Sequence, residues 1–139
     1  MLRMSTMRAA RYSQVGPAAS VLGVDQIPIP KPGPNQVRVK VAFSGINPTD
    51  VKNRAGSAAW DMADFQIPHQ DGSGVIDIVG ANVDPARIGE RVWIMLSAFD
   101  NVYGTAAEYC IVDVANVRPL PENADLELGS TLGVPAVTA

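Results

Sequence analysis

The stretch QVRVKVAFSGINPTDVKNRAG, residues 36–56, changes its period once. Val37, Val39 and Val41 alternate with Arg38 and Lys40, the spacing of a strand with one face buried and the other wet. Beyond Ile46 the alternation stops. Asn47 is a good helix cap, Pro48 suits the first helical position, Asp50 falls in the first turn where the helix dipole favours an acid, and Gly56 supplies the stop. A strand running into a short helix at 48–55 is therefore expected. On these residues alone, Asn47 and Asp50 are a cap and a first-turn acid that satisfy open backbone donors.

Similar strand signals recur on both sides. Upstream lie MRAARY (7–12) and SVLGVDQIPI (20–29), followed by PIPKPGPNQ (28–36), whose four prolines require an extended loop. Downstream, GVIDIVG (74–80), ERVWIML (90–96) and AAEYCIVD (106–113) read as strands. NVRPLP (116–121) reads as an edge strand, because Pro119 and Pro121 cannot donate to a ladder. Residues 57–71 lack periodicity and read as a loop anchored by Trp60, Met62 and Phe65. Such a long loop inside a compact domain is often functional. ENADLELGSTLG (122–133) reads as a helix of two or three turns, and the apolar VPAVTA (134–139) has no evident reason to face water.

Composition narrows the function classes. A chain of 139 residues with 47% hydrophobic content can build one core, and twelve Gly and eleven Pro favour short elements joined by turns. The formal charge of −3 and a pI near 5.0 give no electrostatic footprint for nucleic acid. Cys110 is the single cysteine, which excludes an internal disulfide and any multi-cysteine zinc site and suits a reducing compartment. No apolar run reaches membrane-span length, and a cytoplasmic protein is expected.

Nucleotide and nucleophile motifs are missing. No GxGxxG or GxxxxGK[ST] occurs, and DGSG (71–74) leads into a strand, so its glycines read as a bulge or a close backbone crossing. There is no GxSxG elbow. His69, the only histidine, could share a metal with Asp71 and Cys110, but a turn histidine and a core cysteine are the preferred readings.

Taken in order, INPTDVKNRAG, PHQDGSGVIDIVGANV, GERVWIM, YGTAAEYCIV and VRPLPENADLELGSTLGVPAVTA resemble the N-terminal, GroES-like domain of medium-chain dehydrogenases/reductases. Within that superfamily the chain looks most like the zinc-independent quinone oxidoreductase (zeta-crystallin-like) and enoyl reductase branch. The resemblance covers residues 7–139. It implies a mainly β fold, a GroES-like partly open barrel with one or two short helices. Met1, Met4 and Met7 can each start the chain, so residues 1–6 are expected to be an extension; the resemblance implies a GroES-like catalytic domain at 7–123 and a helix and linker at 124–139 leading toward a Rossmann cofactor domain beyond this chain.

The same resemblance implies the chemistry. Zinc alcohol dehydrogenases carry a cysteine where Asn47 stands and a His-Glu pair where Gln70 and Asp71 stand; amides are poor zinc ligands, so no metal is expected. The four-cysteine structural-zinc lobe has no counterpart in residues 94–106, which contain no cysteine. The complete protein is expected to pass hydride from NADPH to a quinone or an activated carbon–carbon double bond. The resemblance assigns Asn47, Asp50 and Lys52 as catalytic candidates and Asn47 and Thr138 as cofactor contacts. Many quinone oxidoreductases have tyrosine where Lys52 stands; the ammonium either donates to substrate or is solvated on the helix. Because Asp caps a helix as well as Asn does, Asn47→Asp is expected to leave the fold intact and report only on an amide role. By itself the 139-residue chain is expected to be inactive, and the resemblance leaves a homo-oligomer open. The rival readings are a stand-alone GroES-like binding or scaffold module and an inactive product of a truncated reading frame.

Overall fold

The computed structural model describes residues 4–57 and 61–139; the expectation for Trp60 lies outside the described residues. Among the described residues, seven strands form two sheets. β1 (Thr6–Arg11) and β2 (Gly23–Pro28) make an antiparallel ribbon. The larger, fully antiparallel sheet has the order β6-β3-β4-β5-β7, from β3 (Gln36–Gly45), β4 (Asp71–Val79), β5 (Arg91–Ile94), β6 (Tyr109–Asp113) and β7 (Val117–Pro119). The ribbon is joined to the segment ahead of β6 by an Ala9–Ala107 bridge and an Ala10 N–H donating to the Ala106 carbonyl. The result is mainly β and partly open, as expected.

The valine alternation builds the core. Val37 and Val39 are fully buried against Ile76, Val92, Ile94, Cys110, Val112 and Val117, while Arg38 on the other face pairs with Asp77 through a bidentate contact of 2.7–2.9 Å. A second cluster, Met7, Ala9, Ile27 and Ile67, lies under the ribbon with Phe65 and Tyr103 edge to face beside it. Phe65 therefore does anchor its loop.

Two bulges bend β3 against β4, between Arg38 and Val39 and between Val41 and Phe43. The second lies beside the DGSG glycines, where a Cβ on Gly74 would come within 2.1 Å of the Lys40 carbonyl oxygen. That stretch is thus a strand carrying a close backbone approach.

Helical content departs from expectation. Four short α-helices, not one or two, occur among the described residues: α1 (Ala18–Val21), α2 (Pro48–Ala55), α3 (Leu126–Gly129) and α4 (Val134–Thr138). α1 occupies the start of the segment read as a strand from 20. Only α2 exceeds one and a half turns, so most of these pieces are too short to show a 3.6-residue period. In 122–133 the helix is a single turn, capped by Asp125, whose carboxylate accepts from the Leu128 N–H at 2.7 Å, and Gly129 packs on Ser73 and Leu120. The apolar run at 134–139 turns out to be helical, with Pro135 in its first turn.

Candidate functional site

Three elements meet at one buried carboxylate. Asp71, fully buried at the start of β4, accepts from the Asn47 side-chain amide at 2.8 Å and from the Val134 N–H at 3.0 Å to each oxygen. It therefore ties the N-terminus of α2 to that of α4. Gly133 is required there, since a Cβ would sit 2.2 Å from Asp71 Oδ1.

Asp50 reaches back in the N3 arm of a capping box, its Oδ2 accepting from the Asn47 N–H at 2.7 Å. Burial pushes its carboxyl above the usual carboxylate range, and the nearby Asp71 adds to this. Hydrogen bonds from the Asn47 and Gln70 backbones oppose the rise.

Beside α2 lies a cleft of about 220 Å³, lined by Tyr12, Asp50, Gln66, His69 and Gln70, with Phe99 exposed at its edge. Burial raises the Tyr12 phenol, Asp50 raises it further, and Arg54 counteracts them. The imidazole of His69 is lowered from its ordinary value near 6.5 by burial. Gln70 is held by its Oε1, which accepts from the Ala98 N–H at 3.1 Å.

The sequence candidates separate in space. Asp50 lines the cleft, and Asn47 sits behind it, 5% exposed and bound to Asp71. Lys52 is exposed on α2, and its ammonium has no hydrogen-bond or ion-pair partner among the described residues. Thr138 is exposed on α4, and its hydroxyl hydrogen is spent on the Val134 carbonyl at 2.6 Å. Gln66 and Tyr12 carried no signal in the sequence, and Asp71 entered only as a metal ligand shared with His69 and Cys110, the reading not preferred. The signal available for Asp71 was an acid leading the small residues Gly72, Ser73 and Gly74 into an apolar strand, a position that requires partners once buried.

The matches to known proteins follow this architecture. Residues 33–122 match the alcohol dehydrogenase GroES-like domain, and the chain belongs to that family. Within the wider set of relatives, it is similar to the quinone oxidoreductase of Rattus norvegicus, 32% identical over 133 residues, which covers 96% of this chain and 39% of the relative. A trans-enoyl reductase of Gibberella fujikuroi is 33% identical over 135 residues, covering 97% of this chain and 38% of the relative. Among solved structures, a candidate NADPH:quinone reductase from Bacillus thuringiensis superposes with TM-score 0.86 at 26% identity, over 96% of this chain and 39% of that one. A candidate zinc-dependent alcohol dehydrogenase from Rhizobium etli superposes with TM-score 0.80 at 28% identity, over 93% of this chain and 37% of that one. The chain spans about two fifths of the length of the curated relatives it matches. The fold is shared with a candidate zinc-dependent alcohol dehydrogenase, so the fold alone does not decide zinc use and the donor atoms do.

Proposed function

We propose that this domain is the substrate-side half of a zinc-independent, NADPH-dependent oxidoreductase that reduces quinones or activated carbon–carbon double bonds. The observation that carries the reading is similarity to quinone oxidoreductases over 96% of the chain, together with a cleft placed against the capped end of α2. The donor chemistry supports zinc independence: Asn47 and Gln70 offer amides, and both amides are already engaged, with Asp71 and with Ala98. On this reading residues 7–123 form the catalytic domain and 124–139 lead toward a cofactor domain.

The chain's own residues fit only the reactive end of NADPH. The sequence has no glycine-rich strand-to-helix turn to cradle a pyrophosphate, and the cleft is smaller than the roughly 300–1,000 Å³ of pockets that enclose a whole drug-sized ligand. A nicotinamide ring or a quinone is of the right scale. NADPH supplies the hydride when bound. Asn47, fixed by Asp71, keeps a second amide hydrogen for the cofactor amide or a substrate oxygen, and a preorganised donor of this kind is worth about 3 kcal/mol to a developing oxyanion. Asp50 holds Asn47 from the backbone side. Lys52 and Thr138 stand on the exposed faces of α2 and α4, where a facing domain would meet them.

The test is consumption of NADPH by p-benzoquinone and by an enone, in a protein carrying this domain together with a cofactor-binding domain, alongside zinc analysis. Turnover without stoichiometric zinc is expected. A folded two-domain protein that turns over neither substrate would overturn the reading and leave a binding or scaffold module.

A further inference from the structure

A chain of hydroxyl groups determines which ring nitrogen of the single histidine is bare. Thr105 is fully buried, and its one hydroxyl hydrogen goes to the Asp71 carbonyl oxygen at 2.5 Å, which can only accept. Toward Ser44 Oγ, 2.8 Å away, Thr105 is therefore the acceptor and Ser44 the donor. Ser44 has then spent its hydrogen, so it accepts across the 2.8 Å to His69 Nδ1. The proton sits on Nδ1. A neutral imidazole in this tautomer carries an open lone pair on Nε2, and burial favours the neutral ring.

The placement gives that lone pair a direction. Ser44 and Thr105 open onto a different groove, whereas His69 lines the cleft beside Asp50, so the ring spans from the hydroxyl chain to the cleft. No described residue hydrogen-bonds to Nε2. The backbone at His69 is left-handed, with φ 81°, a region that residues with side chains visit sparsely. Gln66 also lines the cleft, and its amide hydrogens are spent on the carbonyls of Ile67 and Asn101, so it too offers an oxygen acceptor.

We propose that His69 Nε2 is a ligand-binding acceptor of this cleft, oriented by Ser44 and Thr105, and that the cleft selects ligands presenting a hydroxyl or N–H, such as a hydroquinone, over ligands presenting only carbonyl oxygens. The ligand class rests on the reading of the cleft as a substrate site; the tautomer does not. A carbonyl oxygen set against Nε2 brings two lone pairs together, while a phenolic hydroxyl supplies the missing proton. The reduced member of a quinone pair is therefore held at this corner more tightly than the oxidised member.

The chain has one histidine, so long-range ¹H–¹⁵N correlation on ¹⁵N-histidine-labelled protein reads the ring without assignment ambiguity. The expected pattern is Nδ1–H with Nε2 bare, and Thr105→Val, which removes the terminal donor, is expected to release the ring into a tautomer mixture. An Nε2–H pattern in the unmodified protein, or no change in Thr105→Val, overturns the orientation. Titration with p-hydroquinone is expected to move the Nε2 resonance, and His69→Asn, which accepts a left-handed backbone, is expected to weaken binding about tenfold. Equal or tighter binding of p-benzoquinone overturns the ligand class. These readouts need no turnover, so their failure is distinct from a failed NADPH assay.

Discussion

Removing the Asp71 carboxylate tests whether α2 and α4 share one anchor. Asp71→Ala strips the partners from two donors, the Asn47 amide and the Val134 N–H, both held at 2.8–3.0 Å by a fully buried side chain. Each buried donor left unpaired costs about 1–3 kcal/mol, and relief from burying a charge offsets part of the sum, so a net loss of about 3 kcal/mol is expected. For a domain of 139 residues that lowers Tm by about 10 °C. Asp71→Asn keeps the shape and one oxygen on the side where both donors converge, and exchanges charge-assisted bonds for neutral ones, a loss of about 1 kcal/mol. Thermal unfolding by circular dichroism gives the order wild type, Asp71→Asn, Asp71→Ala. Amide exchange at Val134 is expected to accelerate in Asp71→Ala, while exchange at the buried Val39 tracks global stability alone. An Asp71→Ala protein within about 2 °C of wild type, against the loss expected from the stability scaling, would refute the shared anchor.

Further expectations concern the titrating groups, the thiol and the close backbone approach. Asp50 has a raised folded pKa, so it contributes least to stability at neutral pH, and its contribution recovers as pH falls through the folded value toward the ordinary 3.8; Asp50→Asn should lack that gain on acidification in pH-dependent denaturant melts. His69 has the opposite sign: its lowered folded pKa gives stability that is complete above 6.5 and is lost as pH falls through the folded value, while it faces Asp50, Tyr12 and Asp100 across the cleft. A His69→Asn protein should show a shallower loss between neutral and acid pH in the same melts. Burial raises the Cys110 thiol to about 12, so alkylation of the native protein by iodoacetamide should proceed only as fast as the protein opens. Gly74→Ala would place a Cβ 2.1 Å from the Lys40 carbonyl oxygen and should destabilise the sheet by more than about 1 kcal/mol in denaturant melts, since backbone on both sides has to move.

What could be read in the sequence follows from period and local chemistry. Val37, Val39 and Val41 announced β3, and the Asn47-Pro48-Asp50-Gly56 set announced α2 with its bounds, because both signals lie within a few residues of each other. α1 and α4 carried no such signal, being four and five residues long, shorter than the window in which a helical period can be seen. The site was only half legible. Asp50 lines the cleft, although its place in the capping turn pointed only to a first-turn acid, and the cleft's other walls, Tyr12 and the 66–70 segment, come from elsewhere in the chain, where a single sequence holds no record of which distant residues meet. The role of Asp71 was hidden for the same reason: its partners lie 24 and 63 residues away.

This long-range pairing also changes what Asn47 can be asked. Asp and Asn cap an isolated helix equally well, and that equivalence made Asn47→Asp look like a clean separation of capping from an amide role. In the folded domain it is not clean. The Asn47 amide nitrogen is the donor that meets the buried Asp71 at 2.8 Å, and Asp50 stands on the other side at 2.7 Å from the Asn47 backbone nitrogen, so an aspartate at 47 would gather three carboxyl groups with no cation among their described partners. Like charges at that range cannot all ionise, and either the fold loosens or a proton is taken up. The residue that caps α2 is thus also the residue that carries its position across to Val134. On the proposed function, an Asn47 variant would therefore test the placement of α4 by Asp71 together with any donation from the second amide hydrogen of Asn47, and not the latter alone.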